Sequence, residues 1–415
     1  MEPTNAATLL QNISIEEYNY PLPADRIAYY PAQERDKSLL LISTPEGERK
    51  DHFSNLVTYL PKNSLLVFNE TKVVQARMEF HKSSGARIEI FCLEPMSPVT
   101  EVQLAFSQHS PVSWKCLVGN SRRWKAGKLT CSIEIEGVTT HIAAERTHQY
   151  DTDSEILFSW DNPNLCFSDI MENLGEIPLP PYIQRETEES DSTRYQTIYA
   201  KNKGSVAAPT AGLHFTDEVM NDIKNAGIET DKITLHVGAG TFKPVSSDTI
   251  GEHQMHTEQI IISKKTILNL LNRGEKNIIP VGTTTARTLE SLYWFGAKLF
   301  SSKDIFNGLD VKQWDPYNPK FQNVSTYNSL KFVLKFLEDR QLDFLSGNTS
   351  LLIGPGYTWH LADALITNFH QPKSTLLLLV SSFVGNRWER AYKYALDNDF
   401  RFLSYGDSCL FFPNL

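Results

Sequence analysis

Alternation of strand and helix patterns is the feature that most constrains the fold of this chain. Thr216 can cap a helix whose first turn is acidic and which Gly227 ends. Further strand and helix patterns follow it, and a second run begins near residue 351. In chain order, strands are predicted at 232–237, 277–281, 351–353, 364–367 and 407–412, and helices at 263–272, 284–295, 374–383 and 388–396. This order predicts a mixed α/β main domain with a largely parallel sheet covered by helices.

A different pattern occupies residues 76–165. Residues 129–136 alternate apolar and polar side chains with period two, and shorter strand patterns lie at 86–93, 114–118 and 140–144. We therefore predict a small inserted antiparallel β-barrel or sandwich at 76–165. The main domain is then discontinuous, at 15–75 and 166–415, after a flexible N-terminus at 1–14. Residues 297–350 carry one helix pattern near 330–337 and are read as an insertion at the sheet edge.

Size and charge limit the functional class. The chain has 415 residues, which suggests two or three domains, and its net charge of −9 argues against a general nucleic-acid binder. Its five cysteines never have a CxxC spacing, which argues against disulfides and structural zinc and fits the cytoplasm. The most apolar run is about half of a membrane span, so no membrane association is expected.

Local basic clusters are the features that favour nucleic acid. One surrounds Trp124, and a second lies near residue 202; their members are Arg122, Arg123, Lys125 and Lys128, and Lys201 with Lys203. The alternative is that each is a solvated surface.

Five polar loops follow predicted strands, where ligands collect in open α/β sheets. They lie at 207–216, 236–244, 253–258, 281–287 and 367–375. His214 and His370 suit proton transfer, while Lys243, Arg287 and Lys373 suit an anion. Helix capping or a common turn could explain each loop alone. The two histidines of the loop at 253–258 have no third ligand at metal spacing, so they do not predict a metal site. Together they indicate acid–base chemistry on an anionic or nucleotide-like substrate.

At these loops the sequence resembles the S-adenosylmethionine:tRNA ribosyltransferase-isomerase family of queuosine biosynthesis. The resemblance runs in order from about residue 15 to 412. The matching blocks are YPLPADRIA at 20–28, ERDKS at 34–38, LLVFNETK at 65–72, PLPPYI at 178–183, YQTIYA at 195–200, AAPTAGLHFT at 207–216, HVGAGTFKPV at 236–245, HQMHTE at 253–258, VGTTTARTLES at 281–291, TNFHQPKST at 367–375 and FLSYGD at 402–407.

The resemblance implies a reaction and its partners. The ribosyl part of the co-substrate S-adenosylmethionine would be transferred and isomerised onto 7-aminomethyl-7-deazaguanine at the wobble position of a tRNA, giving epoxyqueuosine-tRNA, adenine and methionine. An α/β domain interrupted by a small β-barrel is implied as well. We expect no metal, no membrane and a monomer, although nothing in the sequence determines the oligomeric state.

Candidate site residues follow from this chemistry as hypotheses. An acid, a base and groups that hold cations or carboxylates are needed, so His214, His370, Asp407 and Lys373 are assigned to catalysis. Substrate binding is assigned to Thr210, Gly212, His236, Gly238, Gly240, Thr241, His256, Thr283, Thr284, Arg287, Asn368, Ser374 and Tyr405. Binding of tRNA is assigned to Arg122, Arg123, Lys125, Lys201 and Lys203.

Several departures from the family pattern leave alternatives open. Residues 297–350 and the first dozen residues are extra, Glu70 and Lys72 stand where Asp and Arg are common, and Gln371 replaces Leu. The acidic run 186–191 would repel a phosphate backbone if it faced the site. Two other functions therefore remain: a non-catalytic paralogue that binds tRNA or a nucleotide, and an enzyme that uses a small nucleoside acceptor.

Overall fold

The structure is a computed structural model that describes residues 6–82, 84–135, 137–238, 240, 245, 247–302 and 304–413. Its strands are β1 Leu39–Thr44, β2 Gly47–His52, β3 Ser64–Asn69, β4 Thr71–Val73, β5 Arg77–His81, β6 Arg87–Ser97, β7 Val112–Gly119, β8 Lys128–Ile135, β9 Val138–Gln149, β10 Ser154–Trp160, β11 Gly175–Glu176, β12 Asn202–Ser205, β13 Glu229–His236, β14 Glu258–Ser263, β15 Asn277–Pro280, β16 Leu309–Val311, β17 Phe344–Thr349, β18 Leu365–Asn368 and β19 Ser408–Phe411. Its α-helices are α1 Ala6–Gln11, α2 Val102–Phe106, α3 Phe167–Leu174, α4 Asp191–Arg194, α5 Asp217–Asn225, α6 Lys264–Leu271, α7 Thr283–Ser301, α8 Thr326–Asp339, α9 Thr375–Val384 and α10 Arg387–Asp397.

Two sheets form the mixed α/β part of the chain. One has the strand order β15-β3-β13-β14-β17-β16, and the other has the order β18-β19-β1-β2. A parallel bridge between Val281 and Ile366 joins the end of β15 to β18, so the two sheets meet side by side. This junction brings the loops after β15 and β18 to one place.

The larger sheet is mixed: three of its five strand pairings are parallel, so the expectation of a largely parallel sheet holds only in part. Strands β15, β3 and β13 run parallel, but β13 pairs antiparallel with β14, and β14 pairs antiparallel with β17. Within the described residues of the connection from β13 to β14 no α-helix forms, and β14 returns directly beside β13. A direct return of this kind gives antiparallel pairing.

Helix α7 is the buried centre of this domain. Every side chain from Thr283 to Lys298 is buried, and α8 packs along the helix, where the Ser329 hydroxyl donates to the Tyr293 carbonyl. The helix ends at Ser301, six residues beyond the predicted end at 295. Residues 297–350 contribute the end of α7, helix α8, the edge strand β16 and its neighbour β17.

The second folding unit is a seven-stranded antiparallel sheet with the order β11-β5-β6-β7-β10-β9-β8. Its apolar faces enclose a separate core that includes Trp114, Phe158 and Phe167. Strand β8 contacts β5 across the curled sheet. One short strand, β11, lies beyond the predicted boundary at 165 and pairs with β5.

One predicted strand is wrong. Residues 351–353 are buried but lie outside any strand, although β18 and β19 form where strands were predicted. The Leu351 N–H donates to the Thr349 hydroxyl, and the Leu352 N–H donates to the Gln313 carbonyl. The apolar run therefore fills the core as a loop, since its backbone finds partners without a neighbouring strand.

Candidate functional site

A cleft opens where the two sheets meet. Gly282 follows β15, and its N–H donates to the Ile366 carbonyl of β18 at 2.7 Å, which holds the two loops together. Gly282 has φ +94° and ψ 150°, a conformation essentially confined to glycine. Helices α7 and α9 both begin just after these strands, so two positive helix ends point to one place.

The cleft is lined by residues of six chain segments. It contains about 720 Å³ of space free of atoms, including solvent at its mouth. Its lining residues are Tyr182, Ala207, Ala208, Pro209, Thr210, Ala211, Val237, Gly282, Thr283, Thr284, Thr367, Asn368, Phe369, His370, Gln371, Ser374, Leu376, Leu403 and Ser404. Six of the residues predicted from the sequence meet here: Thr210, Thr283, Thr284, Asn368, His370 and Ser374.

The start of α7 offers free hydrogen-bonding capacity to the cleft. Its N-cap is Gly282, so no side chain caps the first N–H groups. The hydroxyls of Thr285 and Thr288 donate to carbonyls one turn back, whereas the buried Thr284 hydroxyl has no hydrogen-bond partner within the described structure. An uncapped helix start with an unpaired hydroxyl is suited to an anion such as a carboxylate.

His370 is a neutral base at the wall of the cleft. It is 8% exposed, and burial lowers the pKa of its imidazole to about 3. Its Nε2 lies 3.0 Å from the Thr367 hydroxyl, and its backbone is held by Tyr20 and Tyr392. The ring is therefore uncharged at neutral pH and held in place; its low pKa makes it a weak base whose protonated form gives the proton up readily.

His214 is held in a hydrogen-bonded chain beside the cleft. The Asn368 amide donates to the carbonyls of Leu403 and Ser404, so its oxygen accepts from His214 Nε2 at 3.1 Å. The Nδ1 atom then accepts from the Ser38 hydroxyl at 2.8 Å. Burial lowers the pKa of His214 to about 4, so the neutral ring links Ser38 to Asn368 and both ring nitrogens are occupied.

Arg287 lies against a carboxylate that the sequence did not suggest as its partner. Its guanidinium forms an ion pair with Glu258, and the two side chains are 6% and 0% exposed. The same carboxylate accepts from the Gly238 N–H at 3.2 Å and lies 3.3 Å from His256 Nε2. Glu258 thus ties the loop after β13 to the first turns of α7.

Two further catalytic candidates lie outside the cleft lining. The Lys373 ammonium contacts Glu16 at 2.5 Å, and Lys373 itself has φ +56°. The Asp407 carboxylate accepts from the N–H groups of Leu39 and Arg401, at 2.9 and 2.7 Å. Burial raises the pKa of Asp407, which these bonds partly offset.

Four residues that were predicted to bind substrate lie against other side chains of the protein. His236 Nδ1 lies 2.9 Å from the Thr71 hydroxyl. A side chain on Gly212 or Gly240 would collide with the Tyr199 hydroxyl or the His256 ring, at 2.0 and 2.6 Å. The Tyr405 hydroxyl donates to Asp191 at 2.8 Å. Thr241 and Lys243 lie outside the described residues.

The predicted tRNA-binding residues lie on other elements. Arg122 and Arg123 belong to a short turn after β7, with Lys125 two residues further on, all in the seven-stranded unit. Lys203 lies in β12 and contacts Glu172, and Lys201 precedes that strand. None of these residues lines the cleft.

Tyr182 and Ser404 are among the cleft residues that were not site candidates. The hydroxyls of Tyr182 and Ser404 are 2.5 Å apart. Both lie in sequence blocks that carried the family resemblance, at 178–183 and 402–407, so that resemblance was the available signal.

Two classes of site are not seen in the described part of the chain. No group of three or more His, Cys, Asp or Glu side chains there is placed to hold a metal ion. Across the same described residues, no helix is long and apolar enough to cross a membrane.

Comparison with known proteins assigns the chain to a family. A sequence model described as "Queuosine biosynthesis protein" matches residues 15–411, so the chain belongs to that family. A relative from Trichlorobacter lovleyi is 36% identical over 403 residues, covering 95% of this chain and 99% of its own length. One from Halothermothrix orenii is 38% identical over 405 residues, with 96% and 99% covered. Both are named S-adenosylmethionine:tRNA ribosyltransferase-isomerase.

A solved structure is similar as well. It is an S-adenosylmethionine tRNA ribosyltransferase from Thermotoga maritima, 25% identical in sequence, with a TM-score of 0.44, covering 95% of this chain and 99% of its own.

Proposed function

We propose that this chain is an S-adenosylmethionine:tRNA ribosyltransferase-isomerase. It transfers and isomerises the ribosyl part of S-adenosylmethionine onto 7-aminomethyl-7-deazaguanine at the tRNA wobble position, and releases adenine and methionine. The observation that carries this proposal is the near full-length similarity to relatives of that name, at 36% and 38% identity. The cleft at the junction of the sheets is where we place the reaction.

The helix start at α7 is suited to the amino-acid end of the co-substrate. The methionine carboxylate would accept from the uncapped N–H groups and from the Thr284 hydroxyl, which has no partner in the described structure. Thr283 and Thr210, on the same wall, would orient the ribose hydroxyls.

His370 is the group best placed to move a proton. The sulfonium acidifies the adjacent C5′ protons of the ribose, so transfer begins when a base removes one. A neutral imidazole can accept that proton, and His370 is neutral at pH 7 because burial lowers its pKa to about 3. The low pKa also makes its protonated form a strong acid, which can pass the proton on to the departing adenine.

His214 has a positioning role in this scheme. Its ring holds the Asn368 oxygen, and Asn368 in turn holds residues 403–404, which also line the cleft. Asp407 has a similar role because it accepts from two backbone N–H groups of neighbouring segments.

Product analysis tests the function. The chain is incubated with S-adenosylmethionine and a tRNA bearing 7-aminomethyl-7-deazaguanine, and adenine and the digested nucleosides are measured by liquid chromatography. We expect adenine together with epoxyqueuosine. Adenine without modified tRNA would indicate a small acceptor, and tRNA binding without turnover would indicate a non-catalytic paralogue.

A variant pair tests the role of His370. His370→Gln should lower kcat by about 10²- to 10⁴-fold while both substrates still bind. His360→Gln is the matched control, because His360 is also a histidine whose pKa burial lowers to about 4, but it stacks on Tyr293 outside the cleft lining. Equal rates for the two variants would remove His370 from the chemistry.

A further inference from the structure

A second, smaller pocket adjoins the cleft and is strongly basic. Its lining residues are Pro31, Ala32, Arg35, Ser38, Arg194, Leu213, His214, Arg401, Ser404, Tyr405 and Gly406. Three of these are arginines, and this lining, all within the described residues, contains no carboxylate. None of the three arginines was a site candidate in the sequence.

Two of the arginines are fixed in place by neutral groups. Arg35 donates to the carbonyls of Thr193, Gln196 and Leu213 at 2.8 to 3.1 Å. Arg194 donates to the carbonyls of Ala32 and Gln33. Carbonyl oxygens orient a guanidinium but leave its charge uncompensated.

No described carboxylate neutralises these two charges by direct contact. Among the described residues, no acidic oxygen lies within 4.0 Å of the guanidinium of Arg35 or Arg194. The two groups are close enough that Arg194 helps to lower the pKa of Arg35, after the larger effect of burial. Holding two like charges together costs free energy, which a bound anion would recover.

Both guanidinium groups keep unused donors. A guanidinium has five N–H groups. Arg35 uses three of them in the bonds above and Arg194 uses two. The Arg194 Nε is buried and has no hydrogen-bond partner among the described residues.

Arg401 is the third arginine that lines the pocket. Its NH2 group lies 3.7 Å from Asp407, which is too long for a hydrogen bond, and its side chain is 35% exposed. Its NH1 group donates to the Tyr30 carbonyl at 3.3 Å. The side chain is therefore partly exposed, and its charge is partly balanced by Asp407.

The pocket and the cleft share a wall. Ser404 lines both, and the His214–Asn368 hydrogen bond connects one to the other. A strand that inserts a base into the cleft would therefore have its backbone near the pocket. A small co-substrate seated at the start of α7 would place its carboxylate on the other side of this wall.

We propose that Arg35, Arg194 and Arg401 form a phosphate clamp for the tRNA backbone next to the nucleotide whose base enters the cleft. This inference rests on the proposed function for the identity of the RNA, and it goes further by giving the docking face. Arginine is the side chain that best matches a phosphodiester, since its fork can donate two parallel hydrogen bonds. The clamp would orient the strand and contribute to affinity without reading its sequence.

The salt dependence of tRNA binding tests the clamp. Fluorescence anisotropy gives Kd for a labelled tRNA bearing 7-aminomethyl-7-deazaguanine at several salt concentrations, for the native chain and for Arg194→Gln and Arg401→Gln. Loss of one phosphate contact should reduce the slope of log Kd against log salt by about 0.7 to 0.9. Binding of S-adenosylmethionine, measured by calorimetry, should not change.

Two matched variants separate the clamp from a general charge effect. Arg340→Gln removes the same charge, and Arg340 also donates to a backbone carbonyl, that of Phe306 at 3.0 Å, but it lies outside both pockets. It should leave the salt slope unchanged. Arg194→Lys keeps the charge and should retain most of the native slope.

Each other outcome overturns the inference. An unchanged slope in both pocket variants would show that these arginines only brace the backbone. Weaker binding of S-adenosylmethionine or of inorganic phosphate, with tRNA binding intact, would assign the pocket to a small anion. These measurements concern binding and are independent of turnover. If the native chain modifies tRNA normally and the pocket variants keep the native salt slope, the clamp is refuted and the proposed function is not.

Discussion

The buried ion pair between Glu258 and Arg287 leads to the strongest stability prediction. Glu258→Gln keeps the shape of the side chain and removes its charge. Arg287, which is 6% exposed, would then carry a buried charge without compensation, and the bond from the Gly238 N–H would be weakened. Breaking a buried pair on one side costs about 3 to 5 kcal/mol. That is a large share of the roughly 5 to 15 kcal/mol that stabilises a typical protein.

The assay is urea unfolding at pH 7 followed by far-ultraviolet circular dichroism. A matched control is Asp397→Asn, which breaks the exposed pair with Lys393, whose side chains are 59% and 77% exposed. Such i,i+4 surface pairs contribute about 0.3 to 0.5 kcal/mol. If Glu258→Gln lowers the free energy of unfolding by no more than this control does, the predicted cost of breaking the buried pair is refuted. Glu258→Gln combined with Arg287→Met should recover most of the loss, because no buried charge remains.

Three further predictions follow from single residues. Burial lowers the pKa of His236 from 6.5 to about 4, so the unfolded chain binds the extra proton and stability falls as pH drops through 6.5 toward 4. His236→Gln should therefore remove up to about 1.4 kcal/mol per pH unit from that slope, measured by urea unfolding at pH 7, 6 and 5; an unchanged slope would contradict the assignment. Thr284→Val removes a buried hydroxyl without a described partner, so the free energy of unfolding should rise by about 1 kcal/mol. Calorimetry should show weaker binding of S-adenosylmethionine. Unaltered binding would place the methionine carboxylate elsewhere. Gly282→Ala forces a side chain into φ +94° and should destabilise the protein by about 1 to 3 kcal/mol in thermal melts, so an unchanged melting temperature would show that the turn relaxes.

Local features of the fold could be predicted from the sequence because their causes are local. The Thr216 hydroxyl accepts from the Val219 N–H and starts α5, as the capping pattern indicates. Ser374 starts α9 in the same way. Helix α7 ran further than predicted because tertiary burial on all sides, and not an amphipathic pattern, decides its length.

Long-range partners could not be predicted because no pattern in the sequence links them. His214 has two hydrogen-bond partners far away in the sequence: Ser38, 176 residues before it, and Asn368, 154 residues after it. These contacts occupy both ring nitrogens and change the role that residue type alone suggests for His214. Arg287 was expected to meet a substrate anion, yet it meets Glu258, whose position depends on an antiparallel pairing that the alternation pattern did not predict.

The most direct test of the proposed function follows the transferred atoms. S-adenosylmethionine labelled in its ribosyl carbons is incubated with the chain and a tRNA bearing 7-aminomethyl-7-deazaguanine. Released adenine and label bound to the tRNA are then measured separately in the same reaction. We predict that label enters the tRNA in equimolar amount with released adenine, and that His370→Gln slows both by about 10²- to 10⁴-fold while the two substrates still bind. Adenine release without label in the tRNA, or full activity of the His370 variant, would contradict the function or the site that we assign.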